Sequence, residues 1–355
     1  MAPVVRVLSA SLLVESVVCV TAQHRDMLDS VLDIFGIKPD FDLNIMTAGQ
    51  NLAEITTKAL NGLMDVISRC APDLVLVHGD TTTTMAASLA AYYSRVRLGH
   101  VEAGLRTHNK YAPFPEEVNR RIAGVAADLH FAPTEMAKAN LLAENVADGH
   151  IFVTGNTAID AIDGMVKPDY HFKADALNKL DFKAKRIIAM TAHRRENHGK
   201  PLEDICKAVL AIKRDFGDVE VVYPVHPSPV VLENARKILA GADGIHLIDP
   251  VDIVDMHNLL SRSHLVLTDS GGLQEEAPHH NVPVVVLRQV TERPEGLEAG
   301  CLVLGGDDTD SVYNAVKKLL TNKNLHTSMA EAKNPFGDGC ASQRILKAIL
   351  EYFRK

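Results

Sequence analysis

Short apolar runs punctuate this chain from Val17 to Leu304, with helix-length segments between them. In the first half they are Val17–Thr21, Leu74–His78, Leu98–Val101, Leu129–Ala132 and Ile151–Val153. In the second half they are Ile187–Met190, Val219–Pro224, Ile245–Ile248, Leu265–Thr268, Val284–Leu287 and Leu302–Leu304. Most are continuous rather than alternating, the pattern of parallel strands covered on both faces. Between them, Leu52–Ser68, Thr83–Tyr93, Glu116–Ala127 and Glu135–Glu144 have helical length and composition. Strand and helix in steady alternation predict a doubly wound α/β architecture, in which ligands sit beyond the carboxyl ends of the strands.

The rhythm breaks at Gly164–Lys185, where Pro168, Asp169 and several lysines separate two strand series. With 355 residues there is chain enough for two domains, each with a sizeable core. We expect residues 1–165 to form the first and 166–339 the second. The helix Gln343–Arg354, within 340–355, follows the turn-like Asn334–Gly339 stretch and is expected to pack back on the first domain.

Hydrophobic residues make up 46% and charged residues 23%, the balance of a globular enzyme. A formal charge of −8 disfavours a nucleic-acid partner. Cys19, Cys70, Cys206, Cys301 and Cys340 form no CxxC pair, which fits free thiols in a reducing cytoplasm better than disulfides or zinc. No apolar run has membrane-spanning length, and Met1–Val20 lacks the basic start of a signal peptide, so it reads as folded structure. Neither GxGxxG nor GxxxxGK[ST] occurs, so no dinucleotide or ATP loop is indicated, and no metal-ligand pattern is present.

Chemistry gathers at the strand ends. His78-Gly79-Asp80-Thr81-Thr82-Thr83-Thr84 follows one strand, and Asp80 suits either a cleft or a helix N-cap. Gly99-His100-Val101-Glu102-Ala103-Gly104-Leu105-Arg106 places Glu102 at the next strand tip, where a carboxylate faces a cleft or a structural ion pair with Arg106. In Phe114-Pro115-Glu116-Glu117-Val118-Asn119-Arg120-Arg121 the acids suit a helix start, while Glu116 and Arg120 share a helix face at i, i+4. His193-Arg194-Arg195-Glu196-Asn197 beside a helix start makes an anion site or a solvated charge run. His226 ends another strand. Thr268-Asp269-Ser270-Gly271-Gly272-Leu273-Gln274-Glu275-Glu276 runs from a strand into a helix through small residues that let N–H groups approach phosphate, with Glu275 or Glu276 placed for ribose hydroxyls. Arg288–Glu295 adds a charged loop.

Taken in order with Val20–Arg25, Asp42–Met46 and Thr154-Gly155-Asn156-Thr157, these motifs resemble the non-hydrolysing UDP-N-acetylglucosamine 2-epimerases across essentially the whole chain. The resemblance implies two Rossmann-like domains of the glycosyltransferase-B type with a cleft between them, the sugar-facing acids in the first and UDP in the second. It implies a cytoplasmic homodimer that takes a UDP-N-acetylhexosamine, uses neither NAD nor metal, and feeds surface polysaccharide synthesis. The C2 proton leaves as UDP departs from C1, giving 2-acetamidoglucal; UDP adds back with a proton on the opposite face. By this match Asp80, Glu102 and Glu116 are the acidic trio, Arg120 its basic neighbour and His226 the histidine near the diphosphate. Ser270, Gly271, Gly272 and Glu276 form the UDP-binding turn, with Arg194 and Arg293 also binding substrate. Some family members are activated by substrate at a second site, and Gln23 with Arg194 or Arg195 lies in stretches suited to one.

The match departs at the start. The family opens with a strand and a Gly-Thr-Arg-Pro-Glu loop, then a lysine before the Met-Ala-Pro that here is Met1-Ala2-Pro3. The expectation is a first sheet without its opening strand and a site without two basic residues. Arg288-Gln289-Val290-Thr291 and His226-Pro227-Ser228-Pro229 are unusual variants, and Met256 stands in for an aromatic near the uracil. The rival readings are a hydrolysing epimerase, a UDP-sugar-binding fragment without turnover, and a generic glycosyltransferase of the same fold.

Overall fold

The computed structural model describes residues 1–22, 25–47, 49–111 and 113–354; Gln23, proposed above for a second site, lies outside them. The chain divides into two compact units, residues 1–161 with 337–355, and residues 162–336.

In the first unit β3 (Leu74–His78), β4 (Arg97–Val101), β5 (Leu129–Ala132) and β6 (Ile151–Val153) form a four-stranded parallel sheet in sequence order. A separate pair, β1 (Cys19–Val20) and β2 (Phe41–Asp42), is also parallel. Every residue of β5 is buried, whereas β3, at the sheet edge, buries only Val77. The helix Thr82–Tyr93 buries alanines in two directions: Ala86 packs with Ile55 and Ala59, while Ala87 and Ala91 pack with Val77 and Leu98. Small side chains let it lie close against both the sheet and the helix Leu52–Cys70.

The helix Ala341–Phe353 belongs to this unit. It sets Ile345, Ala348 and Ile349 on one stripe, the i, i+3, i+4 spacing of a core-facing helix, and joins Val4, Val101, Leu129 and Phe131 in one apolar cluster. Cys340, its N-cap residue, makes no side-chain capping bond. The Asp160 carboxylate supplies it instead, accepting from Ala341 N at 3.0 Å and Ser342 N at 2.6 Å.

The second unit holds β7 (Arg186–Thr191), β8 (Val219–Pro224), β9 (Ile245–Ile248), β10 (Leu265–Thr268), β11 (Val284–Val286) and β12 (Leu302–Leu304) in one parallel sheet of order β12-β11-β10-β7-β8-β9. Ile188 and Met190 of β7 enter one core and Ile187 and Ala189 the other. Helices cover both faces, and this is why the strand sequences are apolar without alternation. From β7 the chain winds outward through β8 and β9, then returns to β10 on the other side of β7 and winds outward again. The connection therefore reverses between β7 and β10, the topological switch point where such sheets open to ligand. Among the described residues no helix is long and apolar enough to cross a membrane.

Candidate functional site

In the first unit two adjacent strand ends carry the acids. His78 lies opposite Val101 in the β3–β4 register, so Asp80 and Glu102 emerge just beyond paired residues. Gly79, at φ 68°, makes the turn; its N–H donates to Val101 O at 3.0 Å, and its carbonyl accepts from His100 Nε2 at 2.7 Å. Burial pushes the His100 pKa down to about 4, which keeps this strut neutral. Thr81, not Asp80, caps the following helix, accepting from Thr84 N at 3.2 Å. Asp80 is thereby left to receive Arg120 Nη2 on its Oδ2 at 2.5 Å, while its backbone carbonyl accepts from Asn119 Nδ2 at 2.9 Å.

Glu102 is not held by Arg106, which makes a two-pronged pair with Glu144 at 2.8 and 2.7 Å. Its Oε2 lies 3.2 Å from His78 Nε2, and that nitrogen also stands 3.3 Å from Thr157 Oγ1. Burial, with the nearby amino terminus and His100 adding to it, keeps His78 well below the ordinary imidazole pKa. A neutral ring here donates to the carboxylate without neutralising it. Glu102 itself has φ 64°, a left-handed backbone that a side chain with a Cβ seldom adopts and that clusters at functional positions. Just beyond, Gly104 cannot be replaced, because a Cβ there would lie 2.2 Å from the Ala137 carbonyl oxygen.

On the helix Glu116–Ala126 the expected Glu116–Arg120 pair does not form. Arg120 turns instead to Glu117, at 3.3 Å between Nη1 and Oε2, three residues away rather than four. Glu117 is fully buried and also accepts from Thr107 N at 3.1 Å and His108 N at 3.2 Å. Both spacings are neighbours on a helix; the loop N–H groups select the residue that points inward. Glu116 is partly exposed, and its side chain makes no hydrogen bond or ion pair among the described residues.

In the second unit the switch point is organised by Asp269, which is fully buried at the end of β10. Its Oδ2 accepts from His193 N and Arg194 N, both at 2.8 Å, and from Asn197 Nδ2 at 2.9 Å. Its Oδ1 stands 3.5 Å from His193 Nδ1. One carboxylate thus pins the loop after β7 against the loop after β10. Burial lowers the His193 pKa against the pull of Asp269, and the His193 ring stacks on His226 at 5.4 Å between centroids.

Ser270 precedes the short helix Gly271–Glu276 without capping it by its side chain. A Cβ built on Gly271 would stand 3.7 Å from Nη2 of both Arg194 and Arg293, so two guanidinium groups converge on this turn. Arg293 is braced by a short bond from Nε to Glu275. Glu275, one of two candidates for the ribose, is therefore committed elsewhere, and Glu276 has its Oε1 3.2 Å from where a Gly272 Cβ would lie. Burial, with Glu275 adding to it, raises the Glu276 pKa to about 7. Beside these groups a cavity of about 270 Å³ is lined by His193, His226, Pro250, Val251, Met256, Ser270 and Leu273, among others. Its apolar wall and polar rim suit a flat heterocycle on a charged tail. Met256 lies in this wall.

Arg195 begins a short 3-10 turn and is exposed. No individual site role was expected of the supporting residues His78, Asn119, Glu117, Asn197 and Asp269, and His193 was expected only as part of an anion site. Asp269 carried a legible signal: a carboxylate directly after a strand of three apolar residues and a threonine needs a full set of partners. The others answer to contacts between distant segments.

A family model described as UDP-N-acetylglucosamine 2-epimerase matches residues 6–350. A putative UDP-N-acetylglucosamine 2-epimerase of Thermotoga maritima is 57% identical over 353 residues, covering 99% of this chain and 93% of that protein. The crystal structure of a putative UDP-N-acetylglucosamine 2-epimerase from Listeria monocytogenes superimposes with a TM-score of 0.94 at 54% identity, covering 100% of this chain and 93% of that one. The S. aureus protein MnaA, solved with UDP, gives a TM-score of 0.88 at 51% identity, covering 100% and 93%. Fold and likeness together define a protein of the glycosyltransferase-B type, made of two Rossmann-like units with parallel sheets. More narrowly, the chain belongs to the UDP-N-acetylglucosamine 2-epimerase family.

Proposed function

We propose that this chain interconverts UDP-N-acetylglucosamine and UDP-N-acetylmannosamine without net hydrolysis. The observation that carries the proposal is the pair of adjacent strand ends presenting Asp80, tied to Arg120, and Glu102, tied to a neutral histidine. Inversion at carbon calls for two proton-exchanging groups on opposite faces. Asp80 is committed to a guanidinium, so Glu102 and Glu116 are assigned that exchange and Asp80 with Arg120 its electrostatic frame. One carboxylate takes the C2 proton as the C1–O bond breaks, its electron pair leaving with UDP; a C1=C2 double bond forms, giving 2-acetamidoglucal. Return of UDP to C1 with a proton from the other carboxylate completes the inversion. Carbon oxidation level is the same in both sugars, so the reaction as proposed calls for no redox cofactor.

In the second unit Arg194, Arg293, Ser270, Gly271 and Gly272 are assigned the diphosphate, with His226 beside it. Glu276 takes the ribose hydroxyls, and the Met256 cavity the uracil. Two guanidinium groups at a helix start favour an anion, and the S. aureus relative is solved with UDP. We also assign a homodimer, for which exposed Tyr92, Tyr93 and Val125 offer apolar surface. Five free thiols suit a cytoplasmic setting, and the product is assigned to surface polysaccharide synthesis.

Proton NMR of UDP-N-acetylglucosamine with the protein in D2O tests this reading. Deuterium at C2 with growth of UDP-N-acetylmannosamine is the expected result. Free UDP and N-acetylmannosamine would replace it with the hydrolysing reaction, and no exchange would leave a UDP-sugar-binding protein. Glu102→Gln and Glu116→Gln should each lower the exchange rate by about 100-fold or more, the scale of lost general acid–base catalysis.

A further inference from the structure

Glu276 has a neighbourhood that its assigned task does not require. Its Oε2 stands 3.5 Å from Nε2 of His257, on the helix Ile253–Ser261. The other nitrogen of that ring, Nδ1, is 3.2 Å from Nε2 of His280, in the 3-10 turn Ala277–His280. His257 is 1% exposed, while His280 is half-buried and reaches solvent. The groups facing Glu276 are Glu275 on its own helix and His257; those facing His257 are Glu276, His280 and His279. His279 packs edge-on to His280 at 5.5 Å.

We propose that His257, backed by His280, is a positioning residue that holds Glu276 as the ionised acceptor for a ribose, switching tautomer as Glu276 gives up its proton. The inference rests on the ribose assignment to Glu276 made above.

A neutral imidazole donates from one nitrogen and accepts at the other, so two arrangements of this chain are self-consistent. In the first, Glu276 is protonated and donates to His257 Nε2, and His257 Nδ1–H donates to His280 Nε2. In the second, Glu276 is a carboxylate, accepts from His257 Nε2–H, and His257 Nδ1 accepts from His280 Nε2–H. Passing from first to second, the Glu276 proton goes to His257 Nε2, the His257 Nδ1 proton to His280 Nε2, and the His280 Nδ1 proton to water. One proton leaves, and both rings begin and end neutral. Neutrality is what their burial dictates: desolvation depresses His257 to about 3 and His280 to about 4. Glu276, raised to about 7, changes state in the range where these rings stay uncharged.

Ribose hydroxyls donate to the second arrangement and find no free acceptor pair of that strength in the first. UDP affinity is therefore expected to rise about tenfold between pH 6 and pH 8 if only the ionised carboxylate binds.

The test is 15N NMR of the histidine-labelled whole chain from pH 5.5 to 8.5, alongside UDP titrations by calorimetry. The expected result is that His257 passes from Nδ1–H to Nε2–H with the midpoint of the UDP affinity change, and that Glu276→Gln abolishes the switch. His257→Gln, which can still donate, should keep UDP affinity at pH 8 within about threefold, whereas His257→Phe should lose about tenfold, a difference of one good hydrogen bond. A single His257 tautomer across the range, with UDP still bound, overturns the proposal and leaves the ribose assignment standing. No UDP binding at any pH overturns the ribose assignment itself, while the tautomer record still decides the relay.

Discussion

A single buried carboxylate shows how much of this site depends on one side chain. Asp269 satisfies two backbone N–H groups and one amide, and only the amide, Asn197 Nδ2, has a second acceptor, Leu287 O at 3.1 Å. Asp269→Ala leaves the two half-buried backbone donors without their acceptor at about 1–3 kcal/mol each, and Asn197 with Leu287 O alone. We expect a loss of about 3–5 kcal/mol in urea denaturation and a fall in UDP affinity, because Arg194 follows the loop. Retention of both would show that the loop stands without it. Glu276 behaves in the opposite way. Its folded pKa of about 7 lies above the ordinary 4.5, so the fold binds this proton more tightly than the unfolded chain does. Stability contributed by the protonated form is complete below 4.5 and lost as pH rises through 7. Glu276→Gln is therefore expected to raise the Tm at pH 8 and leave it unchanged near pH 4, while weakening UDP binding. The acids themselves were legible in sequence because strand ends mark where ligands sit. Their partners were not: whether Arg120 meets Glu116 or Glu117 depends on the loop N–H groups of Thr107 and His108, which no helical spacing encodes.

Among the elements, strands were read well because burial on both faces leaves an unmistakable continuous apolar run. β10 and β5 are wholly buried, and both match their expected spans residue for residue. β2 escaped because two residues, Phe41-Asp42, carry no period at all. The helix Ala341–Phe353 was expected at Gln343–Arg354, after the turn-like Asn334–Gly339 stretch, and begins two residues earlier. Its true beginning is set by Asp160, a cap 181 and 182 positions away in sequence, and local pattern cannot reveal such a partner. Asp160→Ala should cost about 1 kcal/mol, as for other lost caps. Amide exchange at Ala341 and Ser342 should quicken first. Unchanged exchange there would mean the packing of Ile345 and Ile349 alone fixes the helix end.

At the scale of the whole chain, the second unit is one continuous stretch, 162–336, set within a first unit whose pieces are 1–161 and 337–355. Its two apolar clusters draw only on its own residues. Residues 162–336 produced alone are therefore expected to fold and bind UDP, with about 2.7 kcal/mol of added stability at a hundredfold excess of ligand over Kd. A fragment that stays unfolded would show that the surrounding unit completes it. Residues 1–161 alone should remain loose, since the cluster around Leu129 and Phe131 lacks Ile345, Ala348 and Ile349.

The same arrangement imposes an order on biogenesis. On the ribosome the inserted unit can close its core while the outer one waits for its last helix, Ala341–Phe353, which is complete 192 residues after position 161 (353 − 161). At translation rates of about 5–20 residues per second that wait is roughly 10–40 s. Throughout it, the uncovered face of Leu129 and Phe131 is the surface a chaperone would find.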